Sequence, residues 1–191
     1  MTAGTTPSQT VGPFFHEALN RPAWSDLRAG GAQGAVIRVE GRVLDGDGAP
    51  VTDALIEIWQ ADAAGRYAHP EDTRDGTADP NFSGFGRAAT DGTGMYRFTT
   101  VRPGLVPGNG NAMQAPHILV SVFARGLLDR LVTRIYFADE PANDTDPVLN
   151  AIGDPAVRRT LLAEREEMGG VVTYRFDIVL QGEGETAFFE F

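Results

Sequence analysis

The stretch AVIRVEGRVLDGDGAPVTDALIEIWQ, residues 35–60, limits the fold more than any other. Two runs rich in valine and isoleucine flank DGDG, a tetrapeptide suited to positive φ and so to a tight turn. In the first run Arg38, Glu40 and Arg42 alternate with Ile37, Val39 and Val43. That period predicts a strand with one face turned to water. FGRAATDGTGMYRFTT (85–100) repeats the plan around DGTG, and HILVSVFA, VTRIYFA, VTYRFDIVL and ETAFFEF read as further strands. The pattern predicts an all-β protein, a β-sandwich. At 191 residues and 42% hydrophobic the chain suffices for one core, and its 23 glycines and 12 prolines favour turns over long helices.

The predicted organisation is an N-terminal arm over 1–34 and a sandwich domain over 35–191. The first sixteen residues have no strand or helix period, so something else must fix them. One helix is expected: Asp154 caps it, Pro155 suits its first turn, Val157, Leu161 and Arg165 share a side, and Gly169-Gly170 ends it. Residues 61–84 and 101–116 read as long connections, which in a compact domain are usually functional. Phe188, Phe189 and Phe191 crowd the C-terminus and are expected in the core or under another chain, since exposed they would make a sticky edge.

A net charge of -10 argues against nucleic acid as a partner. The chain has no cysteine, which removes thiol nucleophiles and zinc–thiolate sites. The N-terminus has neither the basic start nor the apolar run of a leader, and no stretch is long enough to span a bilayer, so a cytoplasmic location is expected.

None of the three histidines, His16, His69 and His117, stands at H-x-H or H-x-x-x-H spacing from another. A lone strand histidine reads first as structural, and Tyr67 and Tyr96 read first as packing residues. No G-x-S-x-G elbow or P-loop is present, and most carboxylates fall in turns. Arg125 ends the apolar run ILVSVFA and precedes a glycine. It reads either as a surface strand cap or as a clamp for an anion, since a guanidinium pairs well with a carboxylate.

Several stretches together carry a resemblance: TPSQTVGPFF (6–15), EIWQADAAGRY (57–67), DPNFSGFGR (79–87), APHILVSVFARG (115–126), RIYFADE (134–140) and YRFDIVLQGEGETAFFEF (174–191). In this order, over nearly the whole chain, they resemble the intradiol ring-cleaving dioxygenases. The resemblance implies a β-sandwich and a non-haem ferric ion held by two tyrosines and two histidines. In the metal-bearing (beta) chains of heteromeric members the tyrosines end GRY and follow PG in a P-G-x-Y-P loop, and the histidines form H-x-H. Here GRY supplies Tyr67 and HIL supplies His117, but Val106 and Leu119 stand at the other two positions. The expected catalytic residues and metal ligands in this chain are therefore none, with Tyr67, Val106, His117 and Leu119 as vestigial ligand positions. The Fe(3+) would belong to a partner beta chain in a higher-order alpha/beta oligomer that opens a catechol acid with O2. By the same resemblance Thr10, Gly12, Pro13 and Arg125 would line the substrate pocket at the subunit interface. Two other readings stay open: a non-catalytic β-sandwich scaffold or binding module, and a self-sufficient iron enzyme drawing on His16, His69, His117 and Tyr67.

Overall fold

The computed structural model describes residues 7–12, 14–28 and 30–190. Its strands are β1 (Val36–Leu44), β2 (Leu55–Gln60), β3 (Phe85–Ala89), β4 (Met95–Val101), β5 (Val106–Pro107), β6 (Met113–Gln114), β7 (His117–Phe123), β8 (Leu131–Phe137), β9 (Leu162–Met168), β10 (Val171–Arg175) and β11 (Ile178–Val179). Three short α-helices are described, α1 (Phe14–Leu19), α2 (Pro147–Ala151) and α3 (Pro155–Arg159), with 3-10 turns at Pro22–Ser25 and Pro141–Thr145. One layer runs β4-β1-β10-β9 and the other β3-β2-β7-β8-β9, with β9 joining the two. Between them lies a core that includes Ile37, Val39, Ile56, Ile58, Phe98, Ile118, Val120, Val122, Ile135 and Phe137. The β-sandwich expected from the alternating pattern is the observed architecture.

Both glycine-rich tetrapeptides turn the chain, yet neither closes a hairpin. The Asp45 carboxylate accepts from Asp47 N (3.0 Å) and Ala49 N (2.8 Å), and Gly48 takes φ 76°. Asp91 does the same for Thr93 N (2.8 Å) and Met95 N (3.1 Å), with Gly94 at φ 74°. Each turn carries the chain from one layer to the other, because β1 pairs with β4 and β10 while β2 pairs with β3 and β7.

Three expectations need correction. The wet face predicted for β1 contains Glu40, which is only 4% exposed. Arg97 and Arg175, its register partners on the two adjoining strands, cover it with ion pairs at 2.7 and 3.4 Å. Alternation identifies a face but not what lies over it. The single helix expected from Asp154 to Gly169 begins as read, with the Asp154 carboxylate capping Ala156 N at 2.7 Å, but stops at Arg159. Residues 162–168 form β9, because the otherwise bare edges of β8 and β10 need a partner, and Leu161 O and Ala163 O accept from Tyr136 N and Ala138 N. Gly169 and Gly170, both at positive φ, make the two-residue turn of the β9–β10 hairpin and do not end a helix. Finally, ETAFFEF forms no strand over its described residues. Phe188 packs on the main core and Phe189 on a smaller cluster of Ala115, Tyr136, Leu149 and Leu161, while Phe191 lies outside the described residues.

Candidate functional site

Two groups of residues matter, one near each end of β7. The first is built by loops that meet backbone to backbone. A Cβ on Gly65 would lie 1.9 Å from the carbonyl oxygen of Leu105, and one on Gly104 would lie 2.6 Å from Gly65 N. Only glycine allows that approach, so GRY and PGLVP are pressed together and Tyr67 and Val106 are brought to one region. Asp62, buried at the base, fixes the first loop: its carboxylate accepts from the backbone N–H groups of Ala64, Arg66 and Asp79, each at 2.9 Å. Asp72 then holds the Tyr67 N–H (2.9 Å) and pairs with Arg74 at 2.5 Å. The connection over 61–84 is held by these bonds.

His117 opens β7. Strand side chains two apart share a face, and residues paired across strands share it too. Leu119 therefore projects beside His117, with Trp59 on one flank and Arg134 on the other, and Tyr136 faces His117 across the ladder. Tyr67 stacks on Trp59 (centroids 5.9 Å, 14°), and Val106 pairs with Gln114, whose Oε1 accepts from Arg134 Nη1 at 2.7 Å. His117 and Leu119 thus share one sheet face, which Tyr67 joins by stacking on Trp59 and the Val106 strand joins through Gln114 and Arg134. A cavity of about 650 Å³ opens beside it, lined by Trp59, Tyr67, His69, Asp72, Arg74 and Pro107 among others.

The buried His117 ring donates from Nδ1 to the Ala115 carbonyl (2.7 Å), since a carbonyl can only accept, and so leaves Nε2 with its lone pair. Burial, then the positive charge of Arg134, pushes its pKa down to about 4. Burial raises the Tyr67 phenol, with Arg134 and Arg74 pulling the other way. Beneath this face Asp146, fully buried, caps α2 through Val148 N (2.9 Å) and Leu149 N (2.8 Å), accepts from Ala115 N (2.7 Å), and receives the Tyr136 hydroxyl (3.2 Å). Among the described residues no group of three or more histidines and carboxylates is placed to hold a metal ion. One phenol, one imidazole, two aliphatic side chains and a guanidinium are a donor set that does not fit ferric iron, which favours anionic and imidazole donors.

The second group lies past the other end of β7, which at seven residues spans about 20 Å. There Gly126 (φ 88°) donates its N–H to the Thr10 hydroxyl at 2.8 Å, which ties the arm to the turn after the strand. Phe15 packs on Phe123 (5.5 Å), and Ser8 reaches Asp129 at 3.5 Å. Gly12 lies on the same arm with no atom within 4 Å of where a Cβ would sit, and Pro13 falls outside the described residues, as does the side chain of His16. The Arg125 side chain is 67% exposed and its Nε pairs with the Asp53 carboxylate. The arm and Arg125 are thus brought together, away from Tyr67 and His117. Leu27 is a core residue, which docks the latter part of the 1–34 segment on the sandwich.

Sequence reasoning missed Arg134, Gln114 and Asp146. The signal for Arg134 was available: a lone arginine between threonine and isoleucine in the apolar run LVTRIYF must either snorkel or be paired. Asp146 reads as one more turn carboxylate in DEPANDTD, and nothing local tells a buried cap from a solvated one.

The sequence model of the family described as Dioxygenase matches residues 11–182. The chain is 44% identical to the protocatechuate 3,4-dioxygenase alpha chain of Pseudomonas putida, over 97% of this chain and 96% of the relative. It is also 42% identical to the protocatechuate 3,4-dioxygenase beta chain of Burkholderia cepacia, over 94% and 77%. Among solved structures it is similar to the dioxygenase domain of a carbohydrate-binding fusion from Streptomyces sp. SirexAA-E, at 30% identity and TM-score 0.62, covering 96% of this chain and all of that one.

Proposed function

Since this chain belongs to the intradiol dioxygenase family, which is iron-dependent, we propose that it is the alpha subunit of a protocatechuate 3,4-dioxygenase. In that reading an iron-bearing beta chain completes the enzyme, and 3,4-dihydroxybenzoate is opened by O2 between its two hydroxylated carbons to 3-carboxy-cis,cis-muconate. Overall identity does not separate the two chain types, because the beta-chain relative is nearly as similar as the alpha-chain one. The ligand positions support the alpha reading. The observation that carries the proposal is the pair of aliphatic side chains, Val106 and Leu119, at two of the four ligand positions, with Leu119 on the same strand face as His117. Two donors from one chain are too few for a tight ferric site, so the metal would be held by the sibling, where it would supply the activation of the catechol toward oxygen.

This chain's own part is then played at the Arg125 end. The arm carrying Thr10, Gly12 and Pro13, fastened beside Arg125, forms a rim that a partner's substrate pocket can use. Arg125 offers a guanidinium to the carboxylate of the acid substrate, with Asp53 holding its Nε so that the remaining N–H groups are aimed before the substrate arrives. The rim positions substrate and supplies no acid or base. No described helix is long and apolar enough to cross a membrane.

The test is co-expression with a matching beta chain. The complex is expected to turn over dihydroxybenzoate, and Arg125→Ala to raise KM for the acid substrate at least tenfold while leaving assembly intact. A mutant complex with unchanged kinetics would reduce this chain to a scaffold.

A further inference from the structure

The missing donors are not the only obstacle to a metal ion on the His117 face. Arg134 stands directly across the ladder from Leu119, on the same side of the sheet as His117 and Tyr136. Its Nη1 is held by Gln114 Oε1 (2.7 Å) and shares the Tyr136 hydroxyl (3.2 Å), and its guanidinium lies over the Phe189 ring at 6.0 Å. The Nε is buried with no hydrogen-bond partner, so water does not shield that side of the group. The guanidinium therefore stands on the face that carries His117, and Tyr67 stacks on Trp59 at the other flank of Leu119. A fixed positive charge in that place repels a trivalent cation strongly, since the interaction scales with charge. A guanidinium also never loses its proton at accessible pH, so the repulsion cannot be relieved.

We propose that Arg134 is a resident cation that closes this face to ferric iron independently of the donors lost at Val106 and Leu119. The inference rests on the reading of this chain as the subunit without metal, and explains why replacing the two donors alone would not reverse it. Gln114 and Tyr136 position the guanidinium, and Asp146 orients Tyr136 from below.

The experiment compares full-length variants titrated with ferric citrate: Val106→Tyr with Leu119→His, and the same pair combined with Arg134→Gln. Bound iron per chain and the visible band of an iron–phenolate contact are measured, with thermal melting to check folding. If a variant does not fold alone, iron is counted per complex after co-expression with a beta chain. The triple variant is expected to bind iron at least tenfold more tightly than the double. Equal affinity in the two would overturn the inference, because the charge would then exclude nothing. Failure of a folded triple variant to bind would overturn it as well, because removing the cation would then open nothing. Iron in the unaltered chain would overturn the proposed function together with this inference, whereas the double-against-triple comparison can fail alone.

Discussion

The two ends of β7 differ in nearly every physical respect. At the His117 end the side chains are interlocked and largely buried: a buried histidine bonded to a backbone carbonyl, a tyrosine on a buried carboxylate, and a half-buried guanidinium shared between an amide and a phenol. At the Arg125 end the arginine is exposed, the turn is glycine-based, and the start of the arm is fastened by the Thr10 and Ser8 hydroxyls and by Phe15 on Phe123. The first arrangement is costly to alter. The second is cheap to alter and open to a partner. In the proposed function, the positions that would hold a metal in a beta chain serve the fold's own support here, and the proposed contact with substrate sits where little stability depends on it.

The sharpest way to expose that contrast is to remove the support under His117. Asp146→Ala leaves two buried and one half-buried backbone N–H groups and the Tyr136 hydroxyl without their acceptor, and should cost about 3–5 kcal/mol of unfolding free energy in urea. A loss below about 1 kcal/mol would mean that this end is not the rigid one.

Acid should act in the same place. The folded His117 pKa, about 4, lies below its ordinary 6.5, so between these values the unfolded chain holds the extra proton. Stability is therefore full above pH 6.5 and declines as pH falls toward 4, by about 3 kcal/mol from this group. His117→Gln should flatten that part of the pH–stability curve. An unchanged slope in the mutant would assign the acid sensitivity elsewhere.

The other end should respond in the opposite sense. Arg125→Ala is expected to change unfolding free energy by less than about 1 kcal/mol, as an exposed ion pair does, despite its tenfold or larger effect on the complex. Smallest of all, Thr10→Val removes one exposed hydrogen bond. It should lower stability by about 0.5 kcal/mol or less and raise amide exchange at Gly126, measured by hydrogen exchange. Large destabilisation by either change would erase the distinction between the two ends.

The sandwich was legible because its central strands are apolar in a period set by two packed layers. β1, β2, β7, β8 and β10 fall where the β-branched runs predict them. Pairing was not legible, since DGDG and DGTG specify turns but not whether the next strand joins the same layer. The segment after Asp154 shows where local signals lose: its cap and first turn are helical, and the unpaired edges of β8 and β10 then pull Leu162–Met168 into strand. In the site, the register of Leu119 beside His117 follows from strand geometry, whereas the convergence of Tyr67 and Val106 upon it depends on two loops meeting through Gly65 and Gly104. Arg134 was hidden for a related reason, as its partners Gln114 and Tyr136 come from different strands and only the ladder aligns them.

The most direct test is the ferric iron content of this chain purified alone, compared with that of its complex with a beta chain. The account predicts a colourless chain without bound iron, inactive toward dihydroxybenzoate, and one ferric ion per alpha/beta pair in the complex. One equivalent of ferric iron in the isolated chain, with oxygen uptake on adding dihydroxybenzoate, would contradict it.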